Sequence, residues 1–123
     1  MQKQTLIVVF LILALLSLTA SPVLATRNVL WPPAYVQERD GWCWAAVDKS
    51  IIQYYKGSSP SQSTLAYTYD SGSPLDGATL DQANSALNGN GIRSSRQYNS
   101  LSYSGVQWQI NNRHLIFARV TRI

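Results

Sequence analysis

An α+β fold is what this chain encodes on its face, and three features point to it. Residues 40–57 combine a cap signal, an apolar stripe at helical spacing and a glycine stop. The segments 59–62 and 79–82 both have the Ser/Thr-x-x-Gln form of a capping box, in which side chain and backbone satisfy each other's free groups at a helix start. Near the end, Leu115-Ile116-Phe117-Ala118-Arg119-Val120 is β-branched, aromatic and nearly unbroken in hydrophobicity, the composition of a strand.

Taken in order, residues 1–25 read as a signal peptide. Lys3 precedes an almost wholly apolar run from Thr5 to Ala20, and Val23 and Ala25 supply small residues at the −3 and −1 positions. The run is short of the roughly twenty residues a membrane span requires, so no stable span is expected after cleavage, and the mature protein is expected to be secreted or periplasmic. Residues 26–123 then form one domain of 98 residues, enough for a single core. Its first segment, Thr26 to Val36, is an extended arm, because Pro32 and Pro33 exclude helix and push Trp31 toward β or polyproline geometry.

The first helix is expected to take Asp40 as N-cap and to place Cys43 at its third position. Trp44, Val47, Ile51 and Tyr55 form its inward stripe, Lys56 suits its negative end, and Gly57 stops it. A second helix starts from Ser59 with Pro60 at its first position and runs to about Tyr69. Residues 70–77 are a loop. Thr79 caps a third helix, whose stripe of Leu80, Ala83, Ala86 and Leu87 ends at Gly89. After a turn at residues 88–91, a strand is expected over residues 92–98, a short helix over residues 104–111 with Val106 and Ile110 on one side, and a second strand over residues 115–120.

The formal charge of +4 falls to +3 once Lys3 is removed, and the basic residues are spread along the chain. That is no footprint for nucleic acid. One cysteine and one histidine exclude an internal disulfide and a protein-only zinc site, and no residue pattern asks for a cofactor. A leftover thiol in an oxidising compartment either pairs between chains or does chemistry.

Chemistry is favoured by position. A thiol in the first turn of a helix feels the positive end of the aligned peptide dipoles, which favours its negative form. Gln37, six residues before Cys43, offers an amide that can stabilise an oxyanion formed when the sulfur attacks a carbonyl. The plainer alternative is that Cys43 is a buried small hydrophobe, Gln37 a loop residue, and Trp42 and Trp44 core packing. His114 reads as a solvated residue at a strand start.

Gln37 through Ala46 resembles the nucleophile segment of papain-like cysteine peptidases, where a glutamine precedes the cysteine by six residues and Cys-Trp-Ala opens the central helix. The wording Trp42-Cys43-Trp44-Ala45-Ala46-Val47 is most similar to a bacterial branch of secreted effector-type and bacteriocin-processing peptidases. Residues 54–57, 61–66 and 110–116 continue the likeness. The resemblance implies a papain-like α+β fold, its helical half built around the nucleophile helix and its antiparallel sheet curtailed. It implies Cys43 as nucleophile, Gln37 with the Cys43 backbone N–H as oxyanion donors, and Trp44 packed beneath the site on the substrate side. The activity implied is thiol-dependent hydrolysis of a peptide or protein substrate, with no metal and no cofactor.

In that family the general-base histidine follows the apolar strand, which places it beyond Ile123. His114 falls at the family's proline position and is not equated with the base. The expectation is therefore an exported cysteine peptidase or a truncated form of one. The alternatives are a catalytically inactive remnant acting as a binding protein, and a protein that uses Cys43 for an intermolecular disulfide. A strand over residues 115–120 with no neighbours would expose unpaired N–H and C=O groups and invite self-association.

Overall fold

The computed structural model describes residues 28–70 and 77–119; the expected signal peptide, its cleavage site and Val120 lie outside the described residues. Among the described residues there are four helices: α1 Cys43–Lys56, α2 Gln62–Tyr69, α3 Leu80–Gly89 and α4 Tyr103–Asn111. α1 packs on α2 and α3, and these two pack on each other, whereas α4 packs on none of the three.

α1 is the organising element. Its buried side chains are Trp44, Ala45, Ala46, Asp48, Ile51 and Ile52, so two neighbouring rows at helical spacing face the core. The expected stripe is off by a fraction of a turn: Val47 and Tyr55 are 38% and 42% exposed, and Asp48 and Ile52 are inside. A helix covered from two sides buries a wider sector than a single stripe of large apolar residues reveals. Gly57 ends α1 with φ 73° and donates its N–H to the Gln53 carbonyl at 2.9 Å. No atom lies near a Cβ built there, so glycine serves the left-handed backbone alone.

α2 begins two residues later than expected. Ser61 is its N-cap, accepting the Thr64 N–H at 3.1 Å, and Pro60 precedes the cap. α3 has the expected reciprocal capping box. Thr79 Oγ1 accepts from the Gln82 N–H at 3.2 Å, and Gln82 Oε1 accepts from the Thr79 N–H at 2.7 Å. The same Gln82 amide donates to Asp70 at 3.0 Å, which ties the end of α2 to the start of α3. The core between the helices centres on Trp42, Trp44, Ile52, Leu65, Ala83 and Leu87. Ala45 and Ala86 are fully buried.

The α+β expectation is overturned: the described residues are helical and contain no strand. Residues 115–119 are extended, with Leu115 and Phe117 half-buried against the core and Ile116 and Ala118 turned outward. The two-residue period is there, but among the described residues no second segment forms a ladder with it. β-branched composition specifies an extended chain with one buried face; it does not supply a partner. Residues 92–97 behave alike. Ile92 rests on the core, and Ser94 is held by the side chains of Asn84 at 2.8 Å and Asn88 at 3.0 Å rather than by another strand. The papain-like sheet, even curtailed, is thus not found among the described residues.

Extended segments are instead pinned by side chains. The Tyr55 phenol donates to the Arg113 carbonyl at 2.9 Å and accepts the Leu115 N–H at 2.8 Å. Asn28 at the start of the arm donates to Asn111 at the end of α4 at 2.9 Å. Lys49 of α1 places its Nζ 4.5 Å from the centre of the Tyr35 ring, a cation–π contact that holds the arm against α1.

Candidate thiol site at the start of α1

The chain reverses immediately before Cys43. Trp42 donates its N–H to the Arg39 carbonyl at 3.1 Å, and Gly41 between them has φ 79°, the combination of a type II turn, whose third position favours glycine. Asp40 is inside this turn and so does not cap α1; Trp42 occupies the N-cap position without a side-chain hydrogen bond. Cys43 is accordingly the first residue of α1 rather than its third. The other three helices are capped by Ser61, Thr79 and Ser102. The first N–H groups of α1, that of Cys43 among them, are left uncapped, and such groups stabilise negative charge.

Two tryptophans set the direction of the thiol. Trp42 is buried, with the Tyr67 ring edge-on at 6.1 Å and the Arg39 guanidinium 5.3 Å from its centre. Trp44 is buried in the core. Cys43, between them, is exposed and free. Burial of its neighbours thus fixes the backbone while leaving the sulfur at the surface. Trp44 lies inside the protein, beneath the helix start.

Gln37 lies on the other arm of the reversal with its side chain exposed. The peptide groups on either side of it are held by Gln62 of α2. Gln62 Nε2 donates to the Val36 carbonyl at 2.7 Å, and Gln62 Oε1 accepts the Glu38 N–H at 2.9 Å. Gln62 is thus not the capping-box partner of Ser59 that the Ser-x-x-Gln pattern predicts; it binds residues 36 and 38 instead. Its spacing of three and four from Leu65 and Ala66 marks it as a core-facing amide, and that was the available signal.

His114 is elsewhere. Its Nδ1 is 2.8 Å from Gln109 Oε1, and its ring meets Trp108 edge-on at 5.7 Å. The residues on either side of it are bound by Tyr55, in the last turn of α1. Cys43 opens the same helix twelve residues earlier, and a rise of about 1.5 Å per residue puts the two ends roughly 18 Å apart. His114 and Cys43 are not brought together.

No protein-family model matches the chain, and no curated protein or solved structure is matched by it. Among the described residues no group of His, Cys, Asp and Glu is arranged to hold a metal ion, and no helix is long and apolar enough to cross a membrane.

One further ionisable group sits inside α1. Asp48 is fully buried and neither carboxyl oxygen has a hydrogen-bond partner. Burial pushes its pKa up from 3.8 to about 8, because the charged form is the one that loses solvation. At neutral pH the side chain is therefore mostly uncharged, and its burial keeps it away from any substrate.

Proposed function

We propose that this protein is an exported thiol-dependent acyl-transfer enzyme, a cysteine peptidase in its chemistry, acting on a peptide or protein substrate. Cys43 is the nucleophile, and Gln37 with the Cys43 backbone N–H holds the oxyanion. The observation that carries this reading is the exposure of Cys43 at the uncapped first residue of α1, directly after a turn that returns the chain from Gln37. A sulfur at that place can reach a carbonyl carbon, and the proposed role of the uncapped Cys43 N–H and the Gln37 amide is to take the charge that develops on its oxygen.

In the first half-reaction a bond forms between Sγ and the carbonyl carbon, and the leaving group departs with its electron pair. Water then hydrolyses the thioester and restores the thiol. An activated phenolate or a thiolate leaves without help, whereas an alkoxide or an amine must be protonated, and general acid catalysis of such a step contributes about 10²–10⁴-fold. The one histidine of the sequence is held at the far end of α1. Activated esters and thioesters are thus the substrates expected to react first, and peptide-bond cleavage requires an acid–base group other than His114. The placement of His114 favours one alternative, a protein that binds peptide without turning it over.

The test is labelling of the full chain with an epoxysuccinyl probe, together with the burst of p-nitrophenol released from an activated ester. Both are expected in the natural sequence, both should vanish in Cys43→Ser, and both should survive in His114→Ala. Labelling without a burst would leave only the binding role, and absence of both would remove the enzyme proposal.

A further inference from the structure

We infer that Gln62 is the positioning residue of the thiol site, holding Gln37 in the one backbone conformation that aims its amide at the sulfur's reaction partner. The inference rests on the proposed roles of Cys43 and Gln37. The Val36 carbonyl belongs to the peptide plane entering the Gln37 Cα, and the Glu38 N–H belongs to the plane leaving it. Gln62 binds both, at 2.7 and 2.9 Å, so one side chain fixes the two dihedral angles of Gln37 while leaving the Gln37 side chain exposed. This is the pairing a neighbouring strand would give, delivered by a side-chain amide where no strand is found among the described residues.

The clamp is itself rigid. Gln62 is 1% exposed and is the first residue of α2, with the cap Ser61 before it and the fully packed Leu65 one turn on. Its two hydrogen bonds are part-buried, and the amide that makes them is itself inside the protein, so losing them leaves a buried polar group unpaired. No other side chain binds the backbone of residues 36–38 among the described residues. A donor displaced by about 1 Å can forfeit up to ~100-fold in rate, and a site of this kind is only as precise as the shell that supports it.

Two rates measured at Cys43 in the full chain separate positioning from mere folding. Acylation by p-nitrophenyl acetate passes through an oxyanion; alkylation by iodoacetamide does not. Gln62→Met preserves length and removes both hydrogen bonds. It is expected to slow acylation about 10- to 100-fold with alkylation unchanged, and to add no further loss to Gln37→Ala, because the donor it positions is already gone. Gln62→Glu retains the acceptor for the Glu38 N–H and removes the donor to Val36; it covers the case in which Gln62→Met folds poorly, and should give a smaller loss of the same kind. An equal decline of both rates, or full additivity with Gln37→Ala, would overturn the positioning role. So would unchanged acylation in Gln62→Met where Gln37→Ala is slow, and in that case the proposed chemistry stands without the clamp. If Gln37→Ala acylates at the natural rate, the oxyanion assignment fails first and the clamp's purpose with it.

Discussion

The phenol of Tyr69 lies across Gly89 so closely that a Cβ at position 89 would overlap it. The contact joins the last residue of α2 to the last residue of α3, and it reverses an ordinary rule. Glycine inside a helix is normally worse than alanine by about 1 kcal/mol. Here Gly89→Ala is expected to lower stability by roughly 1–3 kcal/mol through overpacking, read as a lower urea midpoint. Tyr69→Phe in the same background should recover part of the loss. A raised midpoint in Gly89→Ala alone would show that the ring swings aside freely.

Asp48 gives the protein a dependence on pH opposite in sign to that of most carboxylates. Its side chain ionises near 3.8 in the unfolded chain and near 8 in the folded one. Between these values the folded state holds a proton that the unfolded state has released, so stability falls as pH rises, by up to ~1.4 kcal/mol per unit. Asp48→Asn removes that slope. Urea midpoints of the two proteins should lie close together at pH 4 and diverge steadily toward pH 8, with the variant the more stable. Parallel curves across this range would refute the assignment.

Tyr55 tethers the chain just after α4 through two hydrogen bonds. Tyr55→Phe keeps the ring and deletes both hydrogen bonds to residues 113 and 115, an expected loss of about 1–2 kcal/mol. Amide exchange at Leu115 should accelerate, whereas probe labelling of Cys43, at the other end of α1, should not change. A coupled change in labelling would mean that the two ends of α1 communicate.

Arg113 holds φ 61° just past α4, with its N–H donating to the Ile110 carbonyl at 3.0 Å. This left-handed position is one that glycine fills without a steric penalty. Arg113→Gly is expected to raise stability by about 0.5–1 kcal/mol, measured by thermal melting. A lower melting temperature would reveal a role for the arginine side chain that its exposure does not suggest.

Helix content was largely legible because its signals are local. Gly57 as a stop, Thr79 with Gln82 as a reciprocal cap, and a short helix ending at Asn111 all follow from neighbours a few residues apart. The two strands failed for the opposite reason. Leu115 and Phe117 do alternate with Ile116 and Ala118 in burial, but whether another segment lies beside them is a long-range fact that composition does not carry. Asp40 failed as a cap because Gly41 bends the chain one residue too soon. At the site, the placement of Cys43 at a helix start could be read from the residues, although not its exact position. The contribution of Gln62 could not, since a buried amide looks alike whether it caps a helix or binds a distant arm.

Because α4 rests on none of the other helices and is joined to the rest by Tyr55, Asn28 and a few half-buried side chains, it is expected to behave as a separate cooperative unit. Such a unit can open without global unfolding. Limited proteolysis in native buffer would then cut first around residues 98–112 and leave the remainder resistant. The Cys43 end of α1 would pass through that event with its surroundings intact, so nicking and loss of thiol labelling need not coincide.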